Sequence, residues 1–214
     1  MGQEVALRGA LAGPQAGVSA PPAPPLLLAS RSPQRRAILE QLAIPFEVVV
    51  PAYEEEVTGA DPVAEVERHA QGKARSVARV AGDRPVLGVD TEVVLAGRVY
   101  GKPADAAEAE AMLEELSGKT HQVVSGLCLL TPAWEDLHHA VTDVSFRVLT
   151  PRELGLYVAT EEWRDRAGGY AIQGRGAALV ERIEGDYLNV VGLPAALLVG
   201  LLEKLAPKLL QTRR

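Results

Sequence analysis

A cationic cluster stands at the start of the first predicted helix, in the stretch SRSPQRR at residues 30–36. Ser32-Pro33 can cap and open a helix, whose N-terminus offers unpaired N–H groups and a partial positive charge that suit phosphate. Ser30 adds a hydroxyl, and Arg35 or Arg36 can hold phosphate oxygens with a planar guanidinium. The stretch therefore indicates either an anion site or an ordinary capped helix with solvated arginines.

Three further stretches carry residue types that bind phosphate, metal or a nucleobase. Asp90 follows a buried strand predicted at 86–89, and we expect it at the carboxyl end of that strand, where α/β sheets place ligands. It could bind a hard cation, orient a water or cap a turn. Lys102 is fixed between Gly and Pro after a predicted hairpin. Gln173, in the glycine-rich segment 168–176, can both donate to and accept from a nucleobase edge, although a flexible loop has the same composition.

Other candidates say little on their own. Glu55 lies in a run of three glutamates that is typical of a solvated loop, in which one member could bind a metal. Lys73 lies late in a predicted helix, where a cation favours the helix dipole. The sequence has no P-loop or GxGxxG motif, and its four histidines lack zinc-motif spacing.

Composition limits the kinds of partner. The 214 residues include 22 Lys and Arg against 28 Asp and Glu, which argues against a nucleic-acid coat and requires any anionic ligand to meet a local cationic cluster. The single cysteine, Cys128, is expected to be a buried thiol in a reducing compartment. Residues 1–25 are expected to be a disordered tail and 26–210 a single domain. No apolar run could span a bilayer, so we expect a cytoplasmic protein without a membrane partner.

Hydrophobic spacing and helix caps predict an α/β fold with a mixed sheet, because strands and helices alternate while hairpins join several strands. His138-His139 is expected in a solvated loop. Strands are predicted at 26–29, 46–50, 86–89, 121–130 and 140–149, with a hairpin over 92–100 turning at 97–98 and a turn at 184–186 between 177–183 and 187–191. Helices are predicted from Ser32, over 61–80 and 109–116, from Thr150, and from Pro194.

Six motifs in order resemble the Maf family of nucleoside triphosphate pyrophosphatases: SRSPQRR, GVDT, GKP, LSGKTHQV after a capped helix, YAIQG and NVVGLP. The resemblance covers roughly residues 26–205. It implies a mixed twisted sheet with flanking helices and two lobes around a cleft, similar to the inosine-triphosphate pyrophosphatases. It also implies a homodimer that hydrolyses nucleoside triphosphates to monophosphate and pyrophosphate with Mg²⁺ or Mn²⁺.

The resemblance also implies a role for individual residues. Asp90 matches the catalytic proton acceptor, and Glu55 together with Asp90 lies near the metal. The matching substrate phosphate-binding residues are Ser30, Arg35, Lys73 and Lys102.

Base specificity follows from three further positions. In the subgroup that acts on dTTP and UTP they are usually Arg, Thr and Gln, and here they match Gln34, Thr91 and Gln173, so Gln34 departs from the pattern. The 7-methyl-GTP subgroup usually has Trp at the first position and lacks Thr at the second. The resemblance therefore favours dTTP and UTP, or other and modified pyrimidine triphosphates. Arg166 stands where the family often has Lys, which keeps the charge but changes the geometry.

Two alternatives from other classes stay open. Maf proteins are associated with arrest of septum formation, so the chain could be a non-catalytic nucleotide sensor that acts on a division partner. A plain interaction domain predicts no rise in melting temperature with nucleotide. The presence of Asp90, Lys73 and Lys102 together favours catalysis, and an enzyme of other base specificity is the nearest rival.

Overall fold

A computed structural model describes residues 24–56, 58–59 and 61–210, so most of the tail predicted at 1–25 lies outside the described residues. The strands are β1 (Leu26–Ala29), β2 (Phe46–Val49), β3 (Val86–Leu95), β4 (Arg98–Tyr100), β5 (Thr120–Leu130), β6 (Glu135–Phe146) and β7 (Val180–Glu184). The α-helices are α1 (Pro33–Gln41), α2 (Pro62–Ala78), α3 (Ala106–Leu116), α4 (Pro151–Val158), α5 (Tyr187–Val191) and α6 (Ala195–Leu205).

The seven strands form one mixed sheet in the order β2-β1-β3-β5-β6-β7, with β4 paired to β3. Strand β1 pairs in parallel with β2 and β3, whereas β3, β5, β6 and β7 pair antiparallel. The predicted mixed α/β fold is therefore confirmed. No helix among the described residues is long and apolar enough to cross a membrane.

Local sequence signals start the helices as predicted. The Ser32 hydroxyl accepts from the Arg35 N–H at the start of α1, and the Asp61 carboxylate caps α2. Thr150 and Glu153 form a reciprocal capping box at the start of α4. These caps satisfy N–H groups that the first turn of a helix leaves unpaired, so each helix begins at a fixed residue.

Two apolar clusters divide the domain into lobes that share the long central strands. One packs Leu87 of β3 and Leu129 of β5 against α1 and α6. The other packs Val93 of β3 and Val123 of β5 against α3 and α4. Because β3 and β5 run from one cluster into the other, residues near the middle of β3 lie between the lobes.

The structure corrects the predicted end of the third strand. Instead of stopping at residue 89, β3 continues to Leu95, so Asp90 lies inside the strand rather than after it. The reason is pairing: parallel β1 ends opposite Gly88, but antiparallel β5 pairs with β3 as far as Val94. The hairpin then turns at Ala96-Gly97, one residue before the predicted turn, and both residues have positive φ as a type I′ turn requires.

Three other local expectations change. Residues 187–191 form helix α5, because the Asp186 carboxylate accepts from the Leu188 N–H as a cap. Strand β7 begins only at Val180, after a 3₁₀ turn. His138-His139 lies in β6 rather than in a solvated loop, because β6 pairs with β5 from Glu135 onward. Cys128 is buried as expected, and burial raises the pKa of its thiol to about 12.

Helix α2 lies directly on the sheet at two glycines. A Cβ built on Gly88 would lie 2.8 Å from the Ala74 nitrogen and closer still to the Ala70 carbonyl oxygen. A Cβ on Gly126, the β5 residue paired with Asp90, would overlap the α2 backbone in the same way. The absence of both side chains lets α2 approach closely enough for its polar residues to reach Asp90.

Candidate functional site

A cleft of about 830 Å³ opens between the lobes. Its walls come from the ends of β1 and β4, the start of α1, the middle of α2 and β3, and the segment before β7. The structure brings all nine residues for which the sequence predicts a site role into the lining of this one cleft: Ser30, Gln34, Arg35, Glu55, Lys73, Asp90, Thr91, Lys102 and Gln173.

Arg35 is a partly buried cation, and its hydrogen-bond partners among residues 24–56, 58–59 and 61–210 are all neutral. Its Nε donates to the Gly192 carbonyl at 2.9 Å, Nη1 donates to Ser30 Oγ at 3.2 Å, and Nη2 donates to Thr91 Oγ1 at 3.1 Å. Burial lowers the pKa of Arg35, opposed by the charges of Asp90 and Glu55. No described carboxylate forms an ion pair with this guanidinium, so its charge is available to an anion in the cleft.

The hydroxyls beside Arg35 shape the same end of the cleft. Ser30 Oγ accepts from the Ser32 N–H at 3.1 Å, and Ser32 Oγ donates to Gln34 Oε1 at 3.1 Å. Thr91 Oγ1 lies 2.9 Å from Ser125 Oγ. Gln34 is thus held back against the helix cap, while its amide NH₂ forms no hydrogen bond with the described residues.

Lys73 joins two predicted metal ligands. Its Nζ lies 2.6 Å from Asp90 Oδ1 and 2.6 Å from Glu55 Oε1. Lys73 and Asp90 are each only 7% exposed, whereas Glu55 is exposed. One ammonium therefore bridges α2, β3 and the loop before α2, and the predicted phosphate-binding lysine lies within the carboxylate cluster.

Glu92 is a cleft residue that the sequence reasoning missed. Its Oε2 is buried and has no hydrogen-bond partner among the described residues. Burial, and then the charges of Asp90, Glu65 and Glu55, raise the pKa of Glu92 to about 7, with Lys73 opposing. Asp90 and Glu92 are two residues apart in one strand and share a face. The alternation Asp-Thr-Glu was the signal that could have found it, had the strand been extended past residue 89.

The carboxylates fit a divalent cation better than the imidazole beside them. Ligand atoms of His69, Asp90 and Glu92 lie within 4.8 Å of one another. The His69 nitrogens, however, already face Tyr53 OH at 3.1 Å and Glu65 Oε2 at 3.4 Å. Asp90 and the unpartnered oxygen of Glu92 are the freer donors, and oxygen ligands are those that Mg²⁺ and Mn²⁺ prefer.

The segment that carries Gln173 is anchored rather than loose. Tyr170 OH lies 2.9 Å from His121 Nε2, and the Ala171 N–H donates to Tyr157 OH at 2.9 Å. Gly168 has φ +69° and lies against Val93, whose Cγ2 would be 2.9 Å from an added Cβ. These contacts fix the backbone near Gln173 while its side chain stays exposed in the cleft.

The cleft of this α/β protein therefore brings together cations that form no ion pair with the described residues and a cluster of carboxylates. The family model described as Maf-like protein matches residues 25–205, and the chain belongs to this family.

Several relatives match over most of both chains. A protein of Deinococcus radiodurans named dTTP/UTP pyrophosphatase is 48% identical over 180 residues, which cover 84% of this chain and 92% of the relative. Proteins of the same name from Symbiobacterium thermophilum and Pyrococcus furiosus are 51% and 42% identical, covering 79% and 83% of this chain and 88% and 94% of theirs. The solved structure of the Staphylococcus aureus Ham1 protein aligns with a TM-score of 0.43 at 17% identity, covering 57% of this chain and 72% of that one, a likeness too weak to bear on the activity.

Proposed function

We propose that the chain is a nucleoside triphosphate pyrophosphatase that hydrolyses dTTP and UTP to the nucleoside monophosphate and pyrophosphate. Relatives that are 42–51% identical over most of the chain carry the name dTTP/UTP pyrophosphatase. In the structure, the proposal is supported by a cation and carboxylates that line the same cleft. The guanidinium of Arg35, which forms no ion pair with any described residue, shares a cleft with the carboxylates of Asp90 and Glu92.

The cleft offers cations to a triphosphate, which carries close to four negative charges. Arg35 and Lys102 form no ion pair with any described carboxylate, so no internal pair must break before they bind phosphate. Ser30 lies beside Arg35 at the β1 end and offers a hydroxyl. We assign phosphate binding to these residues and to Lys73, whose ammonium lies between the carboxylates of Asp90 and Glu55.

The reaction requires a water to form a bond with the α-phosphorus while the bond to the bridging oxygen breaks and pyrophosphate leaves. Asp90 is the base that we assign to take the proton of that water. Its Oδ1 accepts from Lys73 Nζ at 2.6 Å, which leaves Oδ2 for the water. The fixed positive charge of Arg35 and Lys73 stabilises the negative charge that develops on the phosphate oxygens.

Asp90 and Glu92, with Glu55 beside them, are the residues that would hold Mg²⁺ or Mn²⁺. A bound divalent cation supplies positive charge next to the reacting phosphate. The buried, unpartnered Oε2 of Glu92 supports this assignment, because an ionised carboxylate without a partner is unfavourable when buried.

Base recognition is assigned to Gln34, Thr91 and Gln173. The amide groups of the two glutamines can donate and accept, as the edge of thymine or uracil requires. The free amide NH₂ of Gln34 can replace the donor that an arginine would supply at this position.

Further parts of the proposal rest on family membership and composition alone. These are a single domain over residues 26–210, a homodimer, a cytoplasmic location, no nucleic-acid partner, and a role in clearing unwanted nucleotides with a link to arrest of cell division.

The test is pyrophosphate release from dTTP by wild type, Asp90→Asn and Lys73→Met, with Asp83→Asn as the matched control at an exposed aspartate outside the cleft. Loss of a general base typically lowers kcat by about 10²–10⁴-fold. We expect Asp90→Asn to fall in that range while its nucleotide-induced rise in melting temperature persists, and Asp83→Asn to match wild type. Full turnover by folded Asp90→Asn would contradict the assignment.

A further inference from the structure

We propose that Arg166 is a further substrate-binding residue, whose guanidinium binds the phosphate chain of the nucleotide from the loop that leads to Gln173. The inference deepens the proposed function and rests on it, because the site is the same cleft.

The state of the Arg166 side chain carries the inference. Arg166 lines the cleft just before the 3₁₀ turn Ala167–Gly169, and its buried Nε has no hydrogen-bond partner in the part of the chain that the structure describes. Its guanidinium forms no ion pair with any described residue. Burial also lowers the pKa of Arg166, and the opposing charges nearest to it do not reach hydrogen-bonding distance.

Such an arrangement destabilises the ligand-free protein. A buried donor without an acceptor loses its hydration and gains nothing in return, whereas an apolar side chain of similar length would fill the same space without that loss. An anion entering the cleft supplies the missing acceptor, and the planar guanidinium fork suits two phosphate oxygens. Substrate binding therefore removes the cost of leaving this buried donor without an acceptor.

The backbone places Arg166 beside another predicted phosphate ligand. The Gly168 N–H donates to the Gly101 carbonyl at 3.0 Å, which joins the Arg166 loop to the segment that presents Lys102. Arg166, Lys102 and Arg35 are then three cleft cations with no ion pair among the described residues. Their combined charge approaches that of a triphosphate.

Arg164, two residues earlier on the same loop, provides a matched control. It also lines the cleft, but it is exposed, its Nη2 pairs with Glu161 Oε1 at 2.8 Å, and its guanidinium lies 4.6 Å from the centre of the Trp163 ring. Its charge is already paired with a neighbouring carboxylate. Replacing it removes the same charge from the same loop without touching an unpaired donor.

The experiment compares wild type with Arg166→Met, Arg166→Lys and Arg164→Met. It measures the melting temperature without ligand, the affinity for inorganic pyrophosphate and inorganic triphosphate with Mg²⁺, and kcat and KM for dTTP. Loss of a charge-assisted hydrogen bond predicts a roughly 10- to 100-fold rise in KM and in the Kd of both inorganic anions for Arg166→Met. The KM and Kd values of Arg166→Lys should lie between those of wild type and Arg166→Met. Those of Arg164→Met should stay close to wild type.

Melting temperature separates a binding role from a structural one. Because Met removes an unpaired buried donor, the ligand-free Arg166→Met protein should melt about 2–4 °C above wild type. A lower melting temperature with unchanged Kd for pyrophosphate would show a structural role and overturn the inference. An equal rise in KM for Arg164→Met would also overturn it, since the effect would then be one of general charge.

The same measurements distinguish failure of the proposed pyrophosphatase activity from failure of the Arg166 inference. If wild type releases no pyrophosphate from any nucleotide, the activity is refuted, while weaker binding of inorganic triphosphate by Arg166→Met would still support an anion-binding Arg166. If wild type hydrolyses dTTP and Arg166→Met has the same KM and kcat, only the Arg166 inference fails.

Discussion

Replacing Gly88 by alanine should separate helix α2 from the sheet and disturb catalysis at a distance from the substrate. Gly88, Asp90 and Glu92 lie on one face of β3, towards α2. A Cβ at residue 88 would lie 2.8 Å from the Ala74 nitrogen, whereas ordinary contacts begin at 3.4 Å, and the overlap with the Ala70 oxygen is larger. Backbone atoms of a packed helix cannot turn aside as a flexible side chain can.

The expected size of the effect follows from this overlap. The helix must retreat by about 1 Å to restore normal contact, and overpacking of this kind destabilises by about 1–3 kcal/mol. Lys73 lies between Ala70 and Ala74 on α2, so it moves with the helix and loses its 2.6 Å contact with Asp90 Oδ1. A misplacement of about 1 Å near the reacting groups can lower the rate by about 100-fold.

Thermal unfolding and initial rates of pyrophosphate release from dTTP check this prediction. Gly200→Ala is the matched control, because Gly200 lies inside α6 and a Cβ there meets nothing within 4 Å. We expect Gly88→Ala to melt about 4–8 °C below wild type and to lose most of its kcat, while Gly200→Ala gains about 0.5–1 kcal/mol from helix propensity. Wild-type stability and kcat in Gly88→Ala would refute the packing argument.

Two further predictions concern pH and specificity. Burial lowers the pKa of His121 from 6.5 to about 4, so its contribution to stability is complete above pH 6.5 and is lost as the pH falls through 4. Denaturant unfolding should show wild type losing about 2–3 kcal/mol more than His121→Gln between pH 7 and 4, and parallel losses would contradict this. Gln34→Arg should raise kcat/KM for dTTP and UTP about 5- to 10-fold, because arginine adds a charged donor. If the ratio of kcat/KM for dTTP to kcat/KM for CTP is the same as in wild type, residue 34 does not read the base.

Local chemistry allowed much of the fold to be predicted. Ser32, Asp61 and Thr150 cap helices where the sequence indicates, because a cap depends only on a side chain and the N–H groups two or three residues on. The extent of β3 could not be predicted in this way. It depends on pairing with β5, from Asp90 with Gly126 to Val94 with Gln122, and these partners are distant along the chain. Asp90 was therefore expected after a strand and lies within one.

The candidate site shows the same division between local and long-range information. The motifs predicted residues that do line one cleft, and their assigned roles stay predictions until the variants are measured. The motifs did not single out Glu92 or assign Arg166 a role, because what distinguishes both is a buried polar atom without a partner, which exists only after folding. The contact of Lys73 with Asp90 and Glu55 likewise depends on how closely α2 packs on the sheet.

The central claim is tested most directly by pyrophosphate release from a panel of dTTP, UTP, CTP, dCTP, 7-methyl-GTP, ATP, GTP and ITP with Mg²⁺ or Mn²⁺, using wild type and Asp90→Asn. We predict preferential turnover of dTTP and UTP that is lost in Asp90→Asn. Preferential turnover of another base would show that Gln34 redirects specificity. No release from any nucleotide by folded wild-type protein would contradict the claim that this cleft is a pyrophosphatase site.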